Sequence, residues 1–234
     1  MTQTSAPRTA RARARDELTR EIKDVARRQL AEQGSAALSL RAVARELGMV
    51  SSAVYRYFPS RDELLTALIV DAYQAIADAA EGAESRVRRG DLVGRWLAIV
   101  RAMRGWAMEH PHEYALIFGT PVPGYAAPAD TVSPAARIPL LLLRLCIDAA
   151  EAGRVPTTNH RPMPRPVRAD LKALREALAP TVSEHQLAVV LMGWAQLVGS
   201  ISFELFGHLH NTVHDYESYF DYQMRGVAKQ LGLG

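Results

Sequence analysis

The side chains best suited to chemistry cluster at 51–57: Ser51, Ser52, Ala53, Tyr55, Arg56 and Tyr57. Arg56 is the one among them that donates two parallel hydrogen bonds from a fixed plane, the geometry that matches the paired acceptors on the major-groove edge of guanine. Ser51, Ser52 and Ala53 stand at the start of the same short segment, where a helix entering the major groove reaches base edges. The Tyr55 hydroxyl suits a phosphate oxygen, and Tyr57 is a further contact candidate on the same segment. Arg41 and Arg61 bracket the segment and are candidates for clamping phosphates on either side.

That constellation requires two short helices crossing at a steep angle. Ser39 is placed to cap a helix at 40–47, and Gly48 supplies the positive φ of the turn. Ser51 is read as the cap of a second helix that runs to about Phe58 and stops at Pro59. Ala44 is the small residue needed where the two helices approach, and Val54 is the apolar residue buried against Val43 and Leu47. Upstream, Leu18, Ile22, Val25, Ala26 and Leu30 share one face of a first helix, which Gly34 closes. Downstream, Ser60-Arg61-Asp62-Glu63 reads as a capping box. It opens a long helix with Leu64, Leu65, Leu68, Ala72 and Ile76 on one face. A plain helical hairpin would share the turn chemistry, but not basic residues on the sides a DNA backbone would occupy.

Charge is distributed accordingly. The 234 residues carry a net charge of only +3, yet residues 1–60 hold eleven Lys and Arg against six Asp and Glu, while the rest holds seventeen against nineteen. A basic end on a near-neutral body is the pattern of a chain that meets phosphate with one end. Arg8, Arg11, Arg13 and Arg15 lie in an acid-free stretch, so residues 1–15 are expected to form a disordered basic arm. Two roles stay open for it, a seat in the minor groove beside the site or non-specific attraction.

Residues 61–234 are expected to form a second, helical domain after a DNA-binding domain at 16–60. Helices are predicted at about 91–109, 111–119, 135–152, 169–179, 183–208 and 215–231, with Ser183 and Gln186 as another capping box. Proline-rich loops are expected at 120–132 and 153–168. No alternating strand pattern occurs, so the fold class is all-α. The helix at 187–208 is apolar nearly all round. With 215–231 it is expected to pair with the same two helices of a second chain, making a twofold homodimer suited to a near-palindromic site.

Trp96, Met103, Trp106, His110, Tyr114 and Phe118 recur on successive helical turns, with Trp194, Phe203 and Glu204 on a later helix. This stripe reads either as plain core or as the wall of a pocket for a small hydrophobic or aromatic molecule. Glu204, His208, His210 and His214 have partial metal-ligand spacing. A helix end near His208 breaks the second pair, so no metal is expected. Cys146, the one cysteine, lies in an apolar run and reads as an inert buried thiol. Polar Gln196, Ser200, Ser202 and Glu204 argue against a membrane span at 187–206, and the start lacks a secretory core, so a cytoplasmic protein is expected. No phosphate-cradling Gly-rich loop, nucleophile elbow or His-Glu-x-x-His helix occurs, so neither an enzyme nor a cofactor is expected.

The run Leu40-Arg-Ala-Val-Ala-Arg-Glu-Leu-Gly48, followed by Ser51-Ser-Ala-Val-Tyr-Arg-Tyr-Phe-Pro59-Ser-Arg-Asp-Glu-Leu-Leu65, resembles the N-terminal domain of the TetR family of regulators over about residues 16–73. Trp106-Ala-Met-Glu-His110-Pro-His-Glu-Tyr114 through Phe118-Gly119 resembles the WHG subgroup of its C-terminal domains. The resemblance implies a three-helix DNA-binding domain, contacts at Arg41, Ser51, Ser52, Ala53, Tyr55, Arg56, Tyr57 and Arg61, a homodimer, and release from the operator by a small-molecule effector. Tyr57 departs from the His often found there. The alternative is a constitutive or activating regulator whose C-terminal domain only dimerises.

Overall fold

Residues 10–154, 156 and 162–234 are described by the structure, a computed structural model, and among them lie ten α-helices and two short 3-10 turns. Helix α1 (Ala10–Gln33) buries Ile22, Val25, Ala26, Gln29 and Leu30, the spacing of one helical face. It begins at Ala10. Residues 10–15, expected as a disordered arm, are therefore helical, because alternating Ala and Arg are strong helix formers and no Gly or Pro interrupts the run to Gln33. Arg8 lies outside the described residues.

Gly34, at φ 77°, ends α1 and donates to the Leu30 carbonyl at 3.0 Å. After a 3-10 turn (Ser35–Ala37), Ser39 Oγ accepts from the Ala42 amide at 3.4 Å and starts α2 (Leu40–Glu46). Gly48, at φ 67°, turns the chain, and Met49 donates back to the Ala44 carbonyl at 2.8 Å. Helix α3 (Ser51–Tyr55) is capped by Val50 and not by Ser51. The Val50 carbonyl accepts the Ala53 amide at 2.9 Å, so Ser51 already sits inside the first turn. The regular helix is also shorter than expected, although Tyr57 and Phe58 still donate to the Val54 carbonyl.

Ser60 Oγ accepts from the Glu63 amide at 3.1 Å and opens α4 (Arg61–Glu84). Asp91 caps α5 (Leu92–Glu109), and Pro111 begins α6 (Pro111–Phe118). Helix α7 (Val132–Glu151) follows a 3-10 turn directly, which places Ser133 and Pro134 inside its first turn instead of before it. Helix α8 (Arg165–Leu178) starts four residues earlier than predicted. Pro166 is tolerated there because first-turn amides have no helical acceptor. Ser183 and Gln186 form the expected reciprocal capping box of α9 (Glu184–Leu205), and Asp215 caps α10 (Tyr216–Gln230).

The chain divides into two compact units: residues 1–72 group with 112–131, and residues 73–111 with 132–234. In the first unit α1, α2 and α3 pack through Ile22, Val43, Ala44 and Val54, with Leu64, Leu65 and Tyr114 also buried. Lys23 and Arg27 both pair with Asp71, at 2.7 and 2.6 Å, and Arg27 also reaches Glu113 at 3.3 Å. In the second unit α5 packs against α7, α9 and α10 around Ile99, Met103, Leu145, Leu197 and Ile201. Buried Arg95 is held by Glu84 at 2.5 Å and Asp148 at 2.7 Å, which compensates for removing its charge from water. At Gly193 a Cβ would meet Val227 Cγ1 at 3.2 Å, so glycine lets α9 and α10 approach closely.

Candidate nucleic-acid interface

The α2–α3 hairpin is built so that its packing residues point one way and its polar residues the other. Val43, Ala44 and Val54 are almost wholly buried, which fixes the crossing of the two helices. Ser52, Tyr55 and Arg56 are exposed on the opposite side of α3, with Ser51 and Ala53 half-buried beside them. Arg41 is exposed in the first turn of α2. Arg41, Ser52, Tyr55 and Arg56 are thus open to solvent on the two helices and at the end of α3.

Two expected contacts have a different local setting. Arg61 donates from Nε to the Leu38 carbonyl at 3.2 Å and from a terminal nitrogen to the Ser35 carbonyl at 2.8 Å. Its guanidinium thereby ties the start of α4 to the turn before α2, and only part of its donor set faces solvent. Tyr57 is half-buried under Arg15, whose guanidinium carbon lies 5.4 Å from the ring centroid. That contact brings the basic start of α1 to the end of α3.

Val50 joins this surface without having been singled out in the sequence. It is 71% exposed immediately before α3, where an apolar side chain can meet a thymine methyl. The signal for it was its position, an apolar residue next to the polar start of the helix.

The nine residues proposed as a pocket wall have varied surroundings. Trp96 and Met103 are core, and the Trp96 indole nitrogen donates to the Met224 carbonyl at 2.8 Å. Trp106 is buried, with its ring 5.1 Å from that of exposed His110. Tyr114 and Phe118 belong to the first unit, ring to ring at 5.0 Å. Glu204 receives both arms of Arg104 at 2.8 and 2.6 Å, a pairing a hundred residues apart that the sequence does not announce. Phe203 faces solvent beside His208, and Trp194 is half-buried between α9 and its neighbours α7 and α8. The stripe on α5 packs against α7, α9 and α10.

Among the described residues no group of three or more His, Cys, Asp or Glu side chains is arranged to hold a metal. Burial pushes the Cys146 thiol up to about 12, so it stays protonated and unreactive. Helix α9 is long and apolar enough to cross a membrane, a property it shares with core helices of soluble proteins.

Residues 22–68 match the bacterial regulatory proteins of the tetR family, and residues 96–227 match the tetracyclin repressor-like C-terminal domain. The HTH-type transcriptional regulator Rv1816 of Mycobacterium tuberculosis is 41% identical over 199 residues, 83% of each chain. Among solved structures, that of SCO4313, described as a regulatory protein, matches with a TM-score of 0.77 and 35% identity over 94% of this chain and 98% of that one. BioQ, solved with its double-stranded DNA operator, matches in fold with a TM-score of 0.52 and 17% identity over 92% of this chain and 98% of its own.

Proposed function

Because the chain belongs to the TetR family of transcriptional regulators, DNA-binding proteins and not enzymes, we propose that it acts as a dimeric repressor on a near-palindromic operator. A small hydrophobic or aromatic effector, bound among the C-terminal helices, releases it. The observation that carries the DNA reading is the polar face of α3, where Ser52, Tyr55 and Arg56 stand clear of a buried Val54. Arg56 reads a base edge, Ser51, Ser52 and Ala53 approach the bases at the helix start, and Arg41, Tyr55, Tyr57 and Arg61 serve the phosphate backbone.

The homodimer reading is supported by α9. Met192, Phe203 and, just past its end, Phe206 are exposed, with Ala195 and Gly199 between them on the same side. Small residues flanked by large apolar ones allow two helices to approach closely and bury the large side chains at the ends. A groove of about 350 Å³ between α9 and α10, lined by Gln196, Gly199, Phe203, Tyr219 and Gln223, continues that face. A second copy covers this apolar surface in water, and a cytoplasmic protein with a DNA partner has no need of lipid there. Sedimentation equilibrium at micromolar concentration tests it. The wild type is expected as a dimer and the exposed-site variant Met192→Glu/Phe203→Glu as a folded monomer; a monomeric wild type contradicts the reading.

A second reading, a constitutive or activating regulator whose C-terminal helices only dimerise, draws support from the burial of Trp96, Met103 and Trp106 on α5. Operator release by any small apolar molecule separates the two.

A further inference from the structure

Helix α8 is strongly two-faced. Val167, Leu171, Leu174 and Leu178 fall at i, i+4, i+7 and i+11, while Arg168, Lys172, Arg175 and Glu176 take the other side. Leu171 and Leu174 pack with Leu143, Ala179, Val182 and Leu187 and pin part of α8 to α7 and α9. The rest of the apolar face does not close on its neighbours. Between α7, α8 and α9 it leaves a cavity of about 130 Å³, walled by Pro139, Leu143, Leu174, Leu178, Leu191 and Trp194 among others. Leu178 and Leu191 keep close to half of their surface exposed and mark its mouth.

From this geometry we infer that the cavity is a binding site for one uncharged apolar molecule of single-ring or short-alkyl size. A void of about 150 Å³ lined by aliphatic side chains holds a benzene ring and stays dry without it. The volume here is of the same order. The wall offers almost nothing for water to bond to. Its side chains are hydrocarbon apart from the Trp194 indole N–H. An ordered water needs two to four polar partners, so an apolar guest displaces little that is favourable. A charged or strongly polar guest loses its hydration with no partner in return. The half-exposed Leu178 and Leu191 side chains leave the mouth open to an entering guest.

The site assignment stands on this geometry alone; its use as a release trigger rests on the repressor reading above. The probe is toluene, with benzoate as the charged control of equal ring size. In ligand-observed NMR on the full-length protein, toluene is expected to bind saturably with one site per chain and benzoate not to bind. Leu178→Trp, at the half-exposed mouth, and Leu174→Trp, deeper in the wall, fill the space and are expected to weaken toluene at least tenfold. Helical circular dichroism confirms that each variant is folded. Absence of saturable toluene binding to the wild type, or binding undiminished in both folded variants, overturns the assignment. Operator affinity with and without toluene is read separately. Toluene binding that both variants abolish, with operator affinity unchanged, upholds the site and removes it as the release trigger.

Discussion

Helices α3 and α5 both carry aromatic and polar residues at helical spacing, and the structure uses them in opposite ways. Helix α3 buries one residue, Val54, and turns Ser52, Tyr55 and Arg56 outward. Helix α5 buries half of its residues, Trp96, Met103 and Trp106 among them. In the first case the packing residues are few and their types are dictated by a tight crossing, so whatever remains is free for function. In the second the inward face is known from periodicity, but whether it meets protein or an empty space depends on helices far away in sequence. A stripe says which way a helix faces, and not what lies opposite.

That contrast is most strongly tested on α5. Met103→Ala is expected to destabilise the fold by about 2–5 kcal/mol in urea unfolding, the range for truncating a buried Met. A loss below about 1 kcal/mol would mean that Met103 borders open space after all. A smaller effect is expected at the α2–α3 turn. Gly48→Ala forces a side chain into φ 67° and is expected to cost about 1–2 kcal/mol, although a Cβ there meets nothing within 4 Å. A neutral outcome would show that the turn is not held in that conformation.

The smallest effect concerns α5 and α10. The Arg101 guanidinium holds the Asp221 carboxyl below its ordinary range. Its folded value is depressed, so the stabilisation is present above the unfolded value of about 3.9 and is lost as pH falls through the folded one. Wild-type stability should therefore drop more than that of Asp221→Asn below about pH 4, by a small amount because Arg101 is half exposed. Equal pH profiles would remove the pair from the account.

What the sequence disclosed follows the same line. Caps at Ser39, Ser60 and Ser183 and the turn at Gly48 are local, and the structure has them where the residues predict. The starts of α1, α7 and α8 were placed too late, because Ala-Arg repeats show no apolar face and first-turn prolines mimic a helix stop. Long-range partners were beyond reach. Arg61 bonds to carbonyls 23 and 26 residues earlier, and Glu204 pairs with Arg104, so neither side chain is as free as its local sequence suggests.

The central claim is that α3 reads DNA through its outward face. A binding site selected from random duplexes, followed by fluorescence anisotropy at fixed salt, tests it directly with Tyr55→Ala/Arg56→Ala. Both substitutions are at exposed positions, so the fold should be unchanged by circular dichroism. A bidentate base contact is worth about 1–3 kcal/mol and is lost in each half-site, so affinity for the selected site should fall about 30-fold or more. Affinity for random duplex should fall far less. An undiminished affinity of the folded double variant for the selected site would contradict the assignment of α3 as the recognition helix.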